Sequence, residues 1–316
     1  MSEFQVRVVR VGDIKKLPNA DTLGITQVAD YPVVVRLGDL SPDDLAVYVP
    51  VDSVVPTDTG PFQFLLTPGR TRERIRAKKL RGVFSMGLLI PAAPGDVEGD
   101  DVRGRYGITK YEPPEPIALG GDQEACPFDF PKYTDIEALR AHPNVLVPGE
   151  EIVLTEKLHG TSARYVWHEG RLWVGSHTTV KKWNPESAYW KPVAQYGLEA
   201  SLARHPEVII FGEVYGWVQD LRYGHTRGHV SFAAFDAMRL LDRRYLDYGD
   251  FVALCESEGI PRVPQLVLGP WSPALVTHAE GLSARADHVR EGIVVHPVHE
   301  RFDERVGRVI LKLHGE

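Results

Sequence analysis

The stretch EIVLTEKLHGTSARYVW, residues 151–167, decides how the chain is read. Two runs rich in β-branched and aromatic residues, EIVLTEK and TSARYVW, flank Leu158, His159 and Gly160. Such runs form strands, and a glycine between them allows a tight reversal. The spacing therefore predicts an antiparallel pair in which Lys157 closes the first strand. A lysine held at a strand end, beside a glycine that permits close backbone approach to a ligand, is placed to attack a phosphate. The letters KLHG return at Lys312–Gly315, in GRVILKLHG. There the period-2 alternation puts Val309, Leu311 and Leu313 on one face, and Arg308, Ile310 and Lys312 on the other. Lys79 and Gly82 repeat the same offset, so the pattern alone separates nothing. On these residues Lys157 reads either as a nucleophile or as a solvated strand-end lysine.

Working outward, further strand-like runs follow: RLWVGS, EVIIFGEVYG, HVSFAAFDAM, EGIVVHP and GRVILKL. LDYGDFVALCESEGI reads as a helix ending near Gly259, and SPALVTHAEGLS as one opening with proline in its first turn. In TDIEALRAH, Thr134 and Glu137 have the spacing of a capping box, which predicts a short helix. The second half is thus an α+β domain of antiparallel sheets flanked by helices. It has no glycine-rich phosphate loop, so a nucleotide would be held by side chains on strands.

Residues 1–110 break into short strands separated by Pro, Gly, Asn and Asp, the pattern of a small β-barrel. Residues 111–131, rich in Pro and Gly without periodicity, read as a linker, which leaves 132–316 as the second domain. The net charge of −7 excludes indiscriminate coating of nucleic acid. Yet RTRERIRAKKLR, residues 70–81, sets seven basic residues against Glu73 and makes a focused anion-binding candidate or a solvated basic loop. Cys126 and Cys255 are too few for a disulfide framework. The pairs His225/His229 and His296/His299 lack the accompanying ligands of a metal site. No apolar run suggests a signal peptide or a membrane span, so a cytoplasmic protein without membrane contact is expected.

Five short motifs occur in a telling order. EKLHGTS, FGEVYG (Phe211–Gly216), FAAFDAM (Phe232–Met238), EGIVVHP (Glu291–Pro297) and VILKLHG (Val309–Gly315) resemble motifs I, III, IIIa, IV and V of the covalent nucleotidyltransferases, which include polynucleotide ligases and capping enzymes. His159, where DNA ligases and capping enzymes usually carry Asp, resembles the RNA ligases. VGDIKKLPNADTLGITQV and IRAKKLRGVFSMGLLIP resemble an OB-fold tRNA-binding module. An OB-like module ahead of a nucleotidyltransferase domain is similar to the layout of Deinococcus-type RNA ligases, and the resemblance covers nearly the whole chain.

The resemblance implies an ATP-dependent RNA ligase working through a lysyl-AMP intermediate with Mg²⁺ or Mn²⁺. Its expected partner is RNA with 3′-OH and 5′-phosphate ends, as at a nick, and a monomer is expected. Lys157 would be the nucleophile, Glu291 a metal ligand and Lys312 a cation on the α-phosphate. Glu156, His159, Gly160, Glu213, Phe235 and Asp236 would complete the nucleotide site. The basic residues Arg72, Arg74, Arg76, Lys78 and Lys79 would meet nucleic acid.

Two departures stand out. Motif V commonly has two lysines one residue apart, whereas Lys312 is flanked at that spacing by Ile310 and His314. Motif Ia has His177 where arginine is common, which leaves phosphate handling to Lys181, Lys182 or Arg164. A degenerate, non-catalytic RNA- or tRNA-binding protein and a capping-type guanylyltransferase are the alternatives.

Overall fold

The computed structural model describes residues 4–18, 20–112 and 121–315. Part of the expected linker, residues 113–120, lies outside them. The chain divides into two units, one of residues 4–112 with 140–143, the other of residues 121–139 with 144–315. No helix among the described residues is long and apolar enough to cross a membrane.

The smaller unit is an OB-type barrel of short strands: β1 (Val8–Arg10), β2 (Lys15–Lys16), β3 (Leu23–Val28), β4 (Tyr31–Arg36), β5 (Leu45–Pro50), β6 (Ser53–Pro56), β7 (Arg72–Arg74), β8 (Lys78–Leu80), β9 (Val83–Ser85), β10 (Gly87–Pro91) and β11 (Thr109–Lys110). They pair as β1-β5-β10, β2-β3-β4, β11-β6-β7 and the hairpin β8-β9. Alternation points Val6, Val8, Val47, Val49, Val55 and Ile90 inward around Phe62. The basic run expected as a loop supplies both β7 and β8, with Ile75 between them buried.

The larger unit holds β12 (Glu137–Ala138), β13 (Glu151–Lys157), β14 (Gly160–His168), β15 (Arg171–Ser176), β16 (Val208–Gly216), β17 (Val230–Arg239), β18 (Gln265–Pro270), β19 (Gly292–Pro297), β20 (Phe302–Asp303), β21 (Gly307–Arg308) and β22 (Leu311–His314). Its helices are α1 (Lys191–Tyr196), α2 (Leu198–Ala203) and α3 (Tyr248–Glu258). One sheet runs β12-β22-β19-β13-β18 and the other β15-β14-β16-β17. Ala163, Tyr165, Ile210 and Phe232 pack on the helices, while Val166, Ile209 and Phe211 on the opposite face of the same sheet meet Ile310 and Val294 of the first. Ile152, Leu154, Ile293, Leu311 and Leu313 fill a third layer behind the five-stranded sheet. The two sheets thus face each other with apolar side chains packed between them, and the cleft is the polar end of that interface, at Lys157 and Glu213.

Three expectations need correction. TDIEALRAH is not a helix: residues 137–138 pair in parallel with Leu311 and Lys312, and only the 3-10 turn Leu139–Ala141 remains. Nine residues followed by Pro143 are too few to hold a helix against a sheet edge that takes up the backbone hydrogen bonds. SPALVTHAEGLS is likewise a 3-10 segment, Pro273–Ala279. Residues 121–131 pack in the larger unit, where Phe130 is buried and its carbonyl accepts a 2.7 Å bond from Arg164. The α3 helix does end at Gly259, which adopts φ 66° as a left-handed cap.

Candidate active site

Lys157 is the last residue of β13. Because Ile152 and Leu154 face the third layer, alternation sends Val153 and Lys157 to the opposite face, toward the cleft. The register fixes what stands beside it. Lys157 lies opposite Gly292 on β19, and Gly292 lies opposite His314 on β22. Two rows along, on the same face, Thr155, Val294 and Lys312 align in the same way. Glycine at position 292 lets the β22 backbone come close to β19. An added Cβ at Gly292 would stand 2.1 Å from the Leu313 carbonyl oxygen.

Glu291, just before β19, draws these groups together. Its Oε1 accepts a 2.7 Å hydrogen bond from Lys157 Nζ and lies 3.7 Å from His314 Nε2, while Oε2 lies 3.4 Å from His159 Nδ1. Burial pushes the Glu291 carboxyl up, but the His314 and Lys157 contacts outweigh it and hold the group at about 2. Glu213 approaches from the facing sheet, on β16. Burial raises its carboxyl to about 8, Lys157 pulling it down and Glu291 pushing it further up. The two carboxyls are thus shifted in opposite directions.

On the opposite face of β13, Glu156 is 1% exposed. Its Oε2 accepts a 2.8 Å bond from the Ala284 backbone NH, but its Oε1 is buried without a partner. Buried acceptors are nearly always satisfied, so this atom is a candidate ligand contact. Gly160 serves the sheet rather than a turn: an added Cβ would lie 2.1 Å from the Val214 carbonyl oxygen on β16. The turn before it is pinned by Tyr223, whose hydroxyl accepts a 2.8 Å bond from the His159 NH, and by Gln219, which donates to the Gly160 carbonyl. Phe235 occupies the β16–β17 register shift, half-buried, and packs against both Tyr133 and the cluster containing Leu158 and Val263.

Asp236 does not join them. It is buried, its Oδ2 accepts from the Tyr133 hydroxyl at 2.7 Å, and the same oxygen pairs with Arg308 at 2.7 Å. Arg308, fully buried, also pairs with Glu300 and lies 3.5 Å over the Tyr245 ring. The acid expected at the nucleotide is instead part of a structural ion network.

Arg164 and Lys181 are also buried, at 3% and 1% exposure, so neither is a surface charge. Lys182 is exposed. His296 is buried and held near a pKa of about 4 by desolvation. Among the described residues no group of three or more His, Cys, Asp or Glu is close enough to hold a metal by itself. Glu291 Oε2 nonetheless is buried and accepts no hydrogen bond, and with Glu213 it offers the hard oxygen donors that Mg²⁺ or Mn²⁺ prefers.

The RNA ligase family model matches residues 150–314, more than half of the chain, and an OB-fold domain model matches residues 5–92. The chain belongs to the RNA ligase family. A comparison with curated proteins finds no match. Among solved structures this RNA ligase is similar to Naegleria gruberi RNA ligase with pyrophosphate, at TM-score 0.83 and 22% identity over 99% of this chain and 96% of that one. A variant of the same Naegleria enzyme with ATP and Mn gives TM-score 0.82 at 21% identity, covering 98% of this chain and 97% of that one. Another with AMP and Mn gives 0.82 at 22%, covering 98% and 96%. At these identities the likeness is one of fold.

Within the RNA ligase, the sequence motifs mark Lys157, His159, Glu213 and Glu291, and the structure brings these four together. Tyr223 was missed. It lies in a loop without periodicity, at φ 51°, and no local pattern marks it. In the OB-type unit the expected nucleic-acid residues separate into two groups. Arg72 Nη2 donates to the Val54 and Gly107 carbonyls and to Thr109, and Arg74 pairs with Asp52 at 2.6 Å while lying 3.7 Å over the Tyr111 ring. Arg76, Lys78 and Lys79 are exposed.

Proposed function

We propose that the protein is an ATP-dependent RNA ligase that joins 3′-OH and 5′-phosphate ends through lysyl-AMP. The observation that carries this reading is the Lys157 amine, fixed at a strand end 2.7 Å from Glu291 in a cleft it shares with Glu213. In the first step the neutral amine attacks the ATP α-phosphorus, forming a P–N bond as pyrophosphate leaves. AMP then passes from Lys157 to an RNA 5′-phosphate oxygen. The RNA 3′-hydroxyl finally attacks that phosphorus, and AMP departs as the phosphodiester forms. Every step moves a phosphoryl-type group, so positioning and charge neutralisation supply most of the rate.

Only the neutral amine is nucleophilic, so the Lys157–Glu291 ion pair must open and a proton must leave before attack. A divalent metal would be held by Glu291, with Glu213 beside it, and when bound would neutralise phosphate charge. Lys312 and His314 share the cleft-side face of β22, and Lys312 supplies the cation for the same phosphate. Buried beneath β13, Glu156 Oε1 is an acceptor that suits the 6-amino group of adenine and opposes the 6-carbonyl of guanine. This favours ATP over GTP, and so a ligase over a capping-type guanylyltransferase. The test is incubation with α-labelled ATP or GTP and a divalent metal. Covalent label from ATP that survives alkali and is released by hot acid, as a P–N bond requires, is expected on the wild-type chain, none on Lys157→Ala, and none when chelator removes the metal. A chain that takes no label from any nucleotide would instead be an RNA-binding protein with an inactive nucleotidyltransferase fold.

A further inference from the structure

The β8–β9 hairpin of the OB-type unit is a two-faced element. Its inner face is tied down: Ser85 Oγ accepts a 3.0 Å bond from the Val34 NH, and the Met86 NH donates to the Pro32 carbonyl at 2.8 Å. Lys78 pairs with Ser85, Lys79 with Phe84 and Leu80 with Val83, so Lys79 and Phe84 stand together on the outer face. Phe84 is 53% exposed, and the Lys79 amine lies 5.6 Å from its ring centroid. Segment 76–85, RAKKLRGVFS, carries Arg76, Lys78, Lys79 and Arg81 and no acid, within a chain of net charge −7.

The tip adds a second observation. Arg81 and Gly82 both have positive φ, 51° and 93°, as a two-residue hairpin turn requires. Asn or Gly is usual at the first of these positions, and arginine there costs about 1 kcal/mol of backbone strain. The hairpin thus keeps an exposed cation at its tip against local preference. An exposed ring among cations on an element whose other face is pinned has the make-up of a single-strand stacking site, because every base has a π-face and every phosphate a charge.

We propose that Phe84 is a stacking platform for an unpaired RNA base, with Lys79 on the same face and Arg81 at the tip meeting the adjoining phosphates. The ligase's substrate then carries a single-stranded stretch in addition to the ends to be joined. This rests on the ligase reading for its partner, while Arg72 and Arg74 take no part because their guanidinium groups are engaged within the barrel.

The test uses the full chain without ATP and fluorescence anisotropy of a labelled single-stranded RNA of about 12 nucleotides, against a fully paired nicked duplex. Phe84→Ala is expected to weaken single-strand binding about tenfold, Phe84→Leu to do the same at nearly constant volume, and Phe84→Trp to retain it. Duplex binding should change little in all three. Replacing Lys79 and Arg81 by Gln should flatten the single-strand salt dependence by about 0.7 in log–log slope per lost phosphate contact. Unchanged single-strand binding by Phe84→Leu, or an equal loss on the duplex, overturns the platform. Label transfer from ATP to Lys157 is a separate readout: if it persists while the wild-type chain ignores single-stranded RNA, the platform falls and the ligase reading stands.

Discussion

Glu213 and Glu291 share one cleft and titrate far apart, at about 8 and about 2. The sign of the Glu213 effect on stability follows directly. Unfolded, the carboxyl ionises near its ordinary value of 4.5; folded, it keeps its proton to about 8, so raising the pH between these values favours unfolding. Glu213→Gln mimics the neutral acid and should cancel this loss. Urea unfolding at pH 5, 6.5 and 8 is expected to show the variant gaining on wild type, by at most about 1.4 kcal/mol per pH unit. A variant that loses ground as pH rises would show that Glu213 is ionised in the fold. Residue types and spacing marked Glu213 and Glu291 beforehand. They could not mark the opposite shifts of these two carboxyls, which come from which groups the facing sheet brings near, and they misplaced Asp236 because nothing local announces the buried Arg308 behind it.

Among the elements, the approach of β19 to β22 sets the site. Gly292→Ala would place a methyl 2.1 Å from the Leu313 carbonyl oxygen, and the backbone cannot yield without opening the ladder. A loss of about 1–3 kcal/mol in urea unfolding is expected, with weaker labelling of Lys157 by ATP as β22 shifts away. Wild-type stability and labelling in this variant would show that the two strands have slack. Strands were the most legible elements, since β13, β14, β16, β17 and β19 all follow alternating or continuous apolar runs. The failed helix at residues 134–142 shows the limit. Its capping spacing was real, but a sheet edge offered the same backbone a better set of hydrogen bonds than nine residues could make among themselves.

Across the larger unit as a whole, Arg308 joins parts distant in sequence: Tyr133 before the sheets, Asp236 on β17 and Glu300 after β19. Replacing one partner of such a network leaves the others charged and buried. Arg308→Leu should therefore destabilise the unit by about 3–5 kcal/mol, measured by urea unfolding, and Arg308→Leu combined with Asp236→Asn should recover part of it. A loss below about 1 kcal/mol would mean that the network relaxes into water. The barrel and α+β classes were readable from strand spacing and turn residues, whereas the contacts of Arg72 with the Val54 and Gly107 carbonyls, and of Arg74 with Asp52 and the Tyr111 ring, were not, because the barrel's pairing brings these groups together. The strand order also bears on how the enzyme is made. β22 lies inside its sheet, between β12 and β19, and carries Lys312 and His314. A ribosome that has delivered Lys157 and Glu291 but not yet residues 311–314 leaves β19 as an open edge, so the sheet that carries Lys157 is completed only when synthesis has passed His314.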